Sequence, residues 1–121
     1  MSEVKGTTTL SEDVVNQIAG VAARRLEGVH ALGRTSVLNR LRGDHRGKGV
    51  EAEVGEEEAA LDIEMILEYG HPLKAVTQKL RETIAQDIKK MLDREVVELN
   101  IEVAGIHFPE DDETEEPTRV K

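Results

Sequence analysis

Cysteine and tryptophan are absent from this chain, and tyrosine and phenylalanine occur once each, as Tyr69 and Phe108. Without thiols there can be no disulfide, no thiolate nucleophile and no sulfur ligand for a metal, which fits a reducing compartment. Two aromatic rings in 121 residues leave no base-stacking platform and no aromatic cage. No apolar run approaches the roughly 18 residues that a membrane-spanning helix needs. The start, Met1-Ser2-Glu3-Val4-Lys5, lacks the apolar stretch of a signal peptide. Positive charge is in deficit too, with 16 Lys and Arg against 25 Asp and Glu, a net charge of -9. Phosphate contact needs a basic face, so nucleic-acid binding is not expected. What remains is an acidic chain, expected to be soluble and cytoplasmic, and long enough to fold on one core.

The most informative stretch is Leu61 to Phe108. Leu61, Ile63, Met65, Leu67 and Tyr69 alternate with Asp62, Glu64 and Glu68, the period of a half-buried strand. Gly70-His71-Pro72 stops it and starts a helix with Leu73, Val76, Leu80, Ile84, Ile88, Met91 and Leu92 on one stripe. Val97, Leu99, Ile101 and Val103 return to period two. Two amphipathic strands and an amphipathic helix must bury their faces together, so this unit is the expected core.

Upstream, Gly6-Thr7-Thr8-Thr9-Leu10 reads as a short first strand at an edge. Ser11 then caps a helix carrying Val14, Ile18, Ala22 and Leu26, with Glu12 and Asp13 in the first turn and Gly28 as its stop. Val29–Leu32 is a second strand, and Val50, Ala52 and Val54 mark a third that turns back through Gly55-Glu56-Glu57-Glu58 as a hairpin. Between them, residues 34–48 read as a mobile basic loop with Arg34, Arg40, Arg42, Arg46 and Lys48. The expected fold is a two-layer α+β sandwich of order β-α-β-β-β-α-β, with both helices on one face of a mixed or antiparallel sheet. Residues 1–5 are expected to be a flexible N-terminus, 6–109 a single domain, and 110–121 a disordered acidic tail.

Motifs for chemistry are thin. Gly43-Asp44-His45-Arg46-Gly47-Lys48-Gly49 fails as a phosphate loop: it is a spacer short, Gly49 replaces the metal-binding Ser or Thr, and a strand follows. His30, His45, His71 and His107 show no ligand-like spacing, so no metal site is expected from them. Carboxylates are plentiful but lie on strand faces that read as solvated, whereas a general acid needs an apolar pocket. No serine comes with a base and an oxyanion loop. Neither an enzyme, a cofactor nor a small-molecule substrate is expected.

Several segments, in order, resemble the alkaline shock protein family of cell-envelope stress proteins. They are Gly6-Thr-Thr-Thr-Leu-Ser11, Leu26-Glu-Gly28-Val29, Lys48-Gly49-Val50-Glu51, Glu68-Tyr69-Gly70 and Val103-Ala-Gly105-Ile106-His-Phe108. The resemblance covers about residues 6–108. It implies a non-enzymatic protein of envelope homeostasis or alkaline and general stress, which self-associates and gathers at the cytoplasmic membrane face through a small membrane-spanning anchor protein. It offers no catalytic residues to carry over.

Two functions follow as expectations. One is a self-associating scaffold at the inner membrane face, using edge strands such as Thr7–Leu10 and Val97–Val103. The alternative is a cytosolic regulatory module that modulates an enzyme through its acidic sheet face. Partner contacts are expected at Arg34, Arg40, Arg42, Arg46 and Lys48, and at Glu64, Glu98 and Glu102.

Overall fold

The computed structural model describes residues 3–33 and 49–110. Its elements are α1 (Glu12–Arg24), β1 (Val29–Leu32), β2 (Val50–Val54), β3 (Glu58–Glu68), α2 (Leu73–Leu92) and β4 (Glu95–His107). The two helices pack on one face of a mixed four-stranded sheet, an α+β architecture.

β3 is the strand on which the others are hung. Along one edge it pairs in parallel with β4, from Glu58↔Glu95 to Glu68↔His107. Parallel neighbours need a long crossover, and the 20-residue helix α2 supplies it, so β3, α2 and β4 form one β-α-β unit. Along the other edge β3 takes two antiparallel partners: β2 on its first half (Val54↔Ala59 to Val50↔Ile63) and β1 on its second (Leu32↔Met65 to Val29↔Leu67).

β1 and β2 share that edge because of Glu64. The Gly33 N–H donates to the Glu64 carbonyl at 2.6 Å, and the Glu64 N–H donates to the Gly49 carbonyl at 2.8 Å. In an uninterrupted ladder a single residue would make both bonds. Here Gly33 supplies the donor and Gly49 the acceptor, so β1 and β2 lie end to end as one strand opened at one residue's width. Residues 34–48 join the two halves. Gly49 has φ +80°, and a Cβ there would strike the Gly33 amide nitrogen, so the junction needs glycine on both counts.

Period two sends Ala59, Leu61, Ile63, Met65 and Leu67 inward from β3, to meet Val76, Leu80, Ile84 and Ile88 of α2. Val15, Ala19, Ala22 and Ala23 let α1 lie close against them. Leu61, Met65, Leu80, Ile84 and Ile88 are the largest fully buried side chains, each stabilising the fold by about 1.5–3 kcal/mol relative to exposure.

Three local expectations change. Gly6–Leu10 forms no strand: β-branched propensity needs a partner, and these residues are exposed apart from Leu10, which packs against the core. Helix α1 is capped by the Ser11 hydroxyl, which accepts from the Asp13 N–H at 3.0 Å, but it ends at Arg24 rather than running to Gly28. Gly28 instead makes the φ +99° turn into β1, where a Cβ would come within 2.6 Å of Val76 Cγ2. On α2 the buried stripe narrows to every fourth residue, leaving Leu73 48% and Met91 64% exposed. The basic loop at 34–48 and the tail beyond residue 110 lie outside the described residues.

Candidate functional site on the outer face of the sheet

The alternation that buries one face of the sheet loads the other with acid. Register places these side chains in rows across the strands: Glu53, Ala60 and Glu98; then Glu51, Asp62 and Asn100; then Glu64 and Glu102. Like charges side by side on a sheet destabilise it unless something bridges them. Asn100 does so for one group, its Nδ2 donating to Asp62 Oδ1 at 2.9 Å and Glu98 Oε2 at 2.8 Å. Glu64 and Glu102 also have partners. An open groove runs over this face, lined by Glu51, Asp62, Glu64, Asn100 and Glu102.

The structure therefore brings Glu64, Glu98 and Glu102 together on one surface, while Arg34, Arg40, Arg42, Arg46 and Lys48 lie outside the described residues. Among the described residues no charged or polar side chain is fully buried.

At one end of the same face stands a cluster that spacing alone does not reveal. His30 comes from β1, Glu68 from β3 and His107 from β4. Glu68 Oε1 lies 3.2 Å from His30 Nδ1 and 3.0 Å from His107 Nδ1, and Glu68 Oε2 lies 3.1 Å from His107 Nδ1. The two imidazoles stack with centroids 3.7 Å apart and planes 4° from parallel. Only the strand register joins them: Glu68 is opposite His107, and a bulge between Val29 and Ala31 sets His30 on the other side. Positions 38 and 39 residues apart carry no local signal. The sequence hint was Glu68, the last acidic residue of the alternating run, flanked in space by the two histidines that lie within strands. His71 precedes α2, packed close to Gly28, and His45 lies outside the described residues.

One edge of the sheet belongs to β4, the other to β1 and β2. The register of β4 against β3 slips twice, adding Val97 between the partners of Ala59 and Ala60 and Ala104 between those of Met65 and Ile66. Arg81 of α2 reaches over and donates from Nε to the Leu99 carbonyl at 3.1 Å. That carbonyl faces away from β3, so the period of two turns the backbone groups of Ile101 and Val103 outward as well. Bulges and a covering cation guard an edge against indiscriminate pairing. The regular run between them, Glu98–Val103, stays in reach of a neighbouring strand. Tyr69 and Phe108, with rings 4.9 Å apart, make an exposed aromatic pair just past the ends of β3 and β4.

Together these features define an acidic α+β domain. The chain belongs to the alkaline shock protein 23 family, described as having a cell envelope-related function, which matches residues 1–108. A stress response regulator gls24 homolog of Streptococcus pyogenes serotype M3 is 25% identical over 118 residues, covering 94% of this chain. The chain spans 66% of that relative's length. The uncharacterized protein YqhY of Bacillus subtilis (strain 168) is 27% identical over 106 residues, 85% of this chain and 78% of that protein. Among solved structures, a variant of MamM CTD aligns with TM-score 0.48 and 13% identity, covering 78% of this chain and 99% of that chain. That likeness is too distant to bear on function. Among the described residues, no helix is long and apolar enough to cross a membrane.

Proposed function

We propose that this chain is a non-enzymatic protein of the envelope stress response that self-associates into a scaffold at the cytoplasmic face of the membrane, held there by a small membrane-spanning anchor protein. The family and the stress-regulator names of its relatives support the envelope and stress parts of this reading. What carries self-association is the guarded β4 edge. Between its two bulges it offers one short window, and a second copy can pair there without opening the whole 13-residue strand to aggregation. Thr7–Leu10 forms no strand within the chain and supplies no such edge.

Light scattering coupled to size exclusion, from low to high micromolar protein, tests this. Mass should rise with concentration, and Val103→Pro, which removes an outward N–H from the edge, should abolish the rise with the circular dichroism unchanged. A fixed monomer mass across the range would remove self-association as the main role.

The acidic face favours a second reading, a regulatory module that docks a basic patch of a cytosolic enzyme. Glu64→Lys, Glu98→Lys and Glu102→Lys together should then abolish capture of that enzyme. Capture undiminished by the triple change would rule this reading out.

A further inference from the structure

We infer that His30, Glu68 and His107 form a binding site for a divalent first-row transition ion, with Zn²⁺ as the reference ion. Three adjacent strands each deliver one donor to the same end of the outer face, and the donor atoms lie within 4.8 Å of one another. Separations of 3.0–3.2 Å between Glu68 Oε1 and the two Nδ1 atoms are those of neighbouring ligands around a small cation. With metal–ligand bonds of about 2.0–2.2 Å, adjacent donors stand about 2.8–3.1 Å apart in octahedral and about 3.3–3.6 Å apart in tetrahedral geometry.

The backbone holds the set in place. The Glu68 N–H donates to the Gly28 carbonyl and the Tyr69 N–H to the His107 carbonyl, each at 2.8 Å, so both sides of the glutamate are pinned to the strands that carry the histidines. Shelter is graded, with side-chain exposure of 16% at His107, 25% at Glu68 and 37% at His30. His107 and Glu68 are the fixed half. An imidazole binds a metal in its own plane, and two rings only 4° from parallel cannot both do so as they stand. The more exposed His30 is the ring that turns, about a soft terminal torsion, to bring its Nδ1 onto the ion.

The chemistry of the donors selects the ion. Two imidazoles and one carboxylate suit zinc, iron, nickel or copper, whereas magnesium and calcium prefer all-oxygen shells. Carboxylates across the rest of the face raise the local cation concentration. Three protein ligands leave coordination positions open, and one of these can take a ligand from a docking partner.

Calorimetric titration of Zn²⁺ into the chelator-stripped full chain near neutral pH tests the site, together with ¹⁵N spectra of the histidine rings. One ion should bind per chain, with Nδ1 coordination shifts at two histidines. Glu68→Gln keeps the shape of the side chain, and it and His107→Ala should each weaken binding at least about tenfold. His45→Ala and His71→Ala should leave it unchanged. Urea unfolding of each variant establishes that loss of binding is not loss of fold. The inference is overturned if wild type fails to bind Zn²⁺ up to about 1 mM, or if Glu68→Gln and His107→Ala bind like wild type. It is equally overturned if the ¹⁵N shifts fall on His45 or His71.

Discussion

Gly49 bears two constraints that no other side chain can meet, a left-handed φ and backbone contact with Gly33. Alanine there should destabilise the protein by at least about 2 kcal/mol, combining the left-handed penalty with the collision. Gly55→Ala is the control: its Cβ would meet only the Glu58 carbonyl, at an ordinary 3.5 Å, and should change stability by less than about 0.5 kcal/mol. Urea denaturation of the two variants separates the effects. The sequence shows both glycines as turn residues and cannot rank them, because the neighbour that makes Gly49 irreplaceable is 16 residues away in the chain. The same limit hid the histidine cluster. Glu68 was legible as an outward-facing acid, but its partners are set by the pairing of β3 with β1 and β4.

Among the elements, α2 and the two strands it joins were the most legible, since each carries an apolar period long enough to distinguish helix from strand. Ile84 lies on the buried stripe of α2 with no side-chain exposure. Ile84→Ala should cost about 2–5 kcal/mol, read as a lower urea midpoint with an unchanged slope. Met91 belonged to the expected stripe but lies at the exposed C-terminal end, where the helix stops at Asp93 in a left-handed conformation. Thr7–Thr9 misled for a different reason. Strand formation depends on a partner edge, and threonine content reports only that a strand would be tolerated.

For the whole molecule, the junction at Glu64 makes a specific claim about residues 34–48. Gly33 and Gly49 share the hydrogen bonds of one strand position, so deleting residues 33–48 should let Leu32 run through Gly49 into Val50 as one unbroken strand. The shortened protein should keep its circular dichroism and a stability within about 2 kcal/mol of wild type, since removing a connection of this length changes loop-closure entropy only modestly. Unfolding on deletion would show that the connection takes part in the core. Because the deletion removes Arg34, Arg40, Arg42, Arg46 and Lys48 along with the rest of the connection, any partner that is lost with the fold intact is assigned to residues 33–48.

The sequence by itself determined the amphipathic elements, the α+β class, the acidic outer face and the family, because periodicity and charge are local properties that a chain displays wherever it folds. Tertiary structure alone decided that β3 is central, that β1 and β2 are halves of one strand and that β4 runs parallel along the other edge. It also decided that His30 and His107 close on Glu68. Each of these depends on which strand pairs with which and in what register, and pairing is settled by distant hydrogen bonds and shared burial rather than by neighbours in the chain.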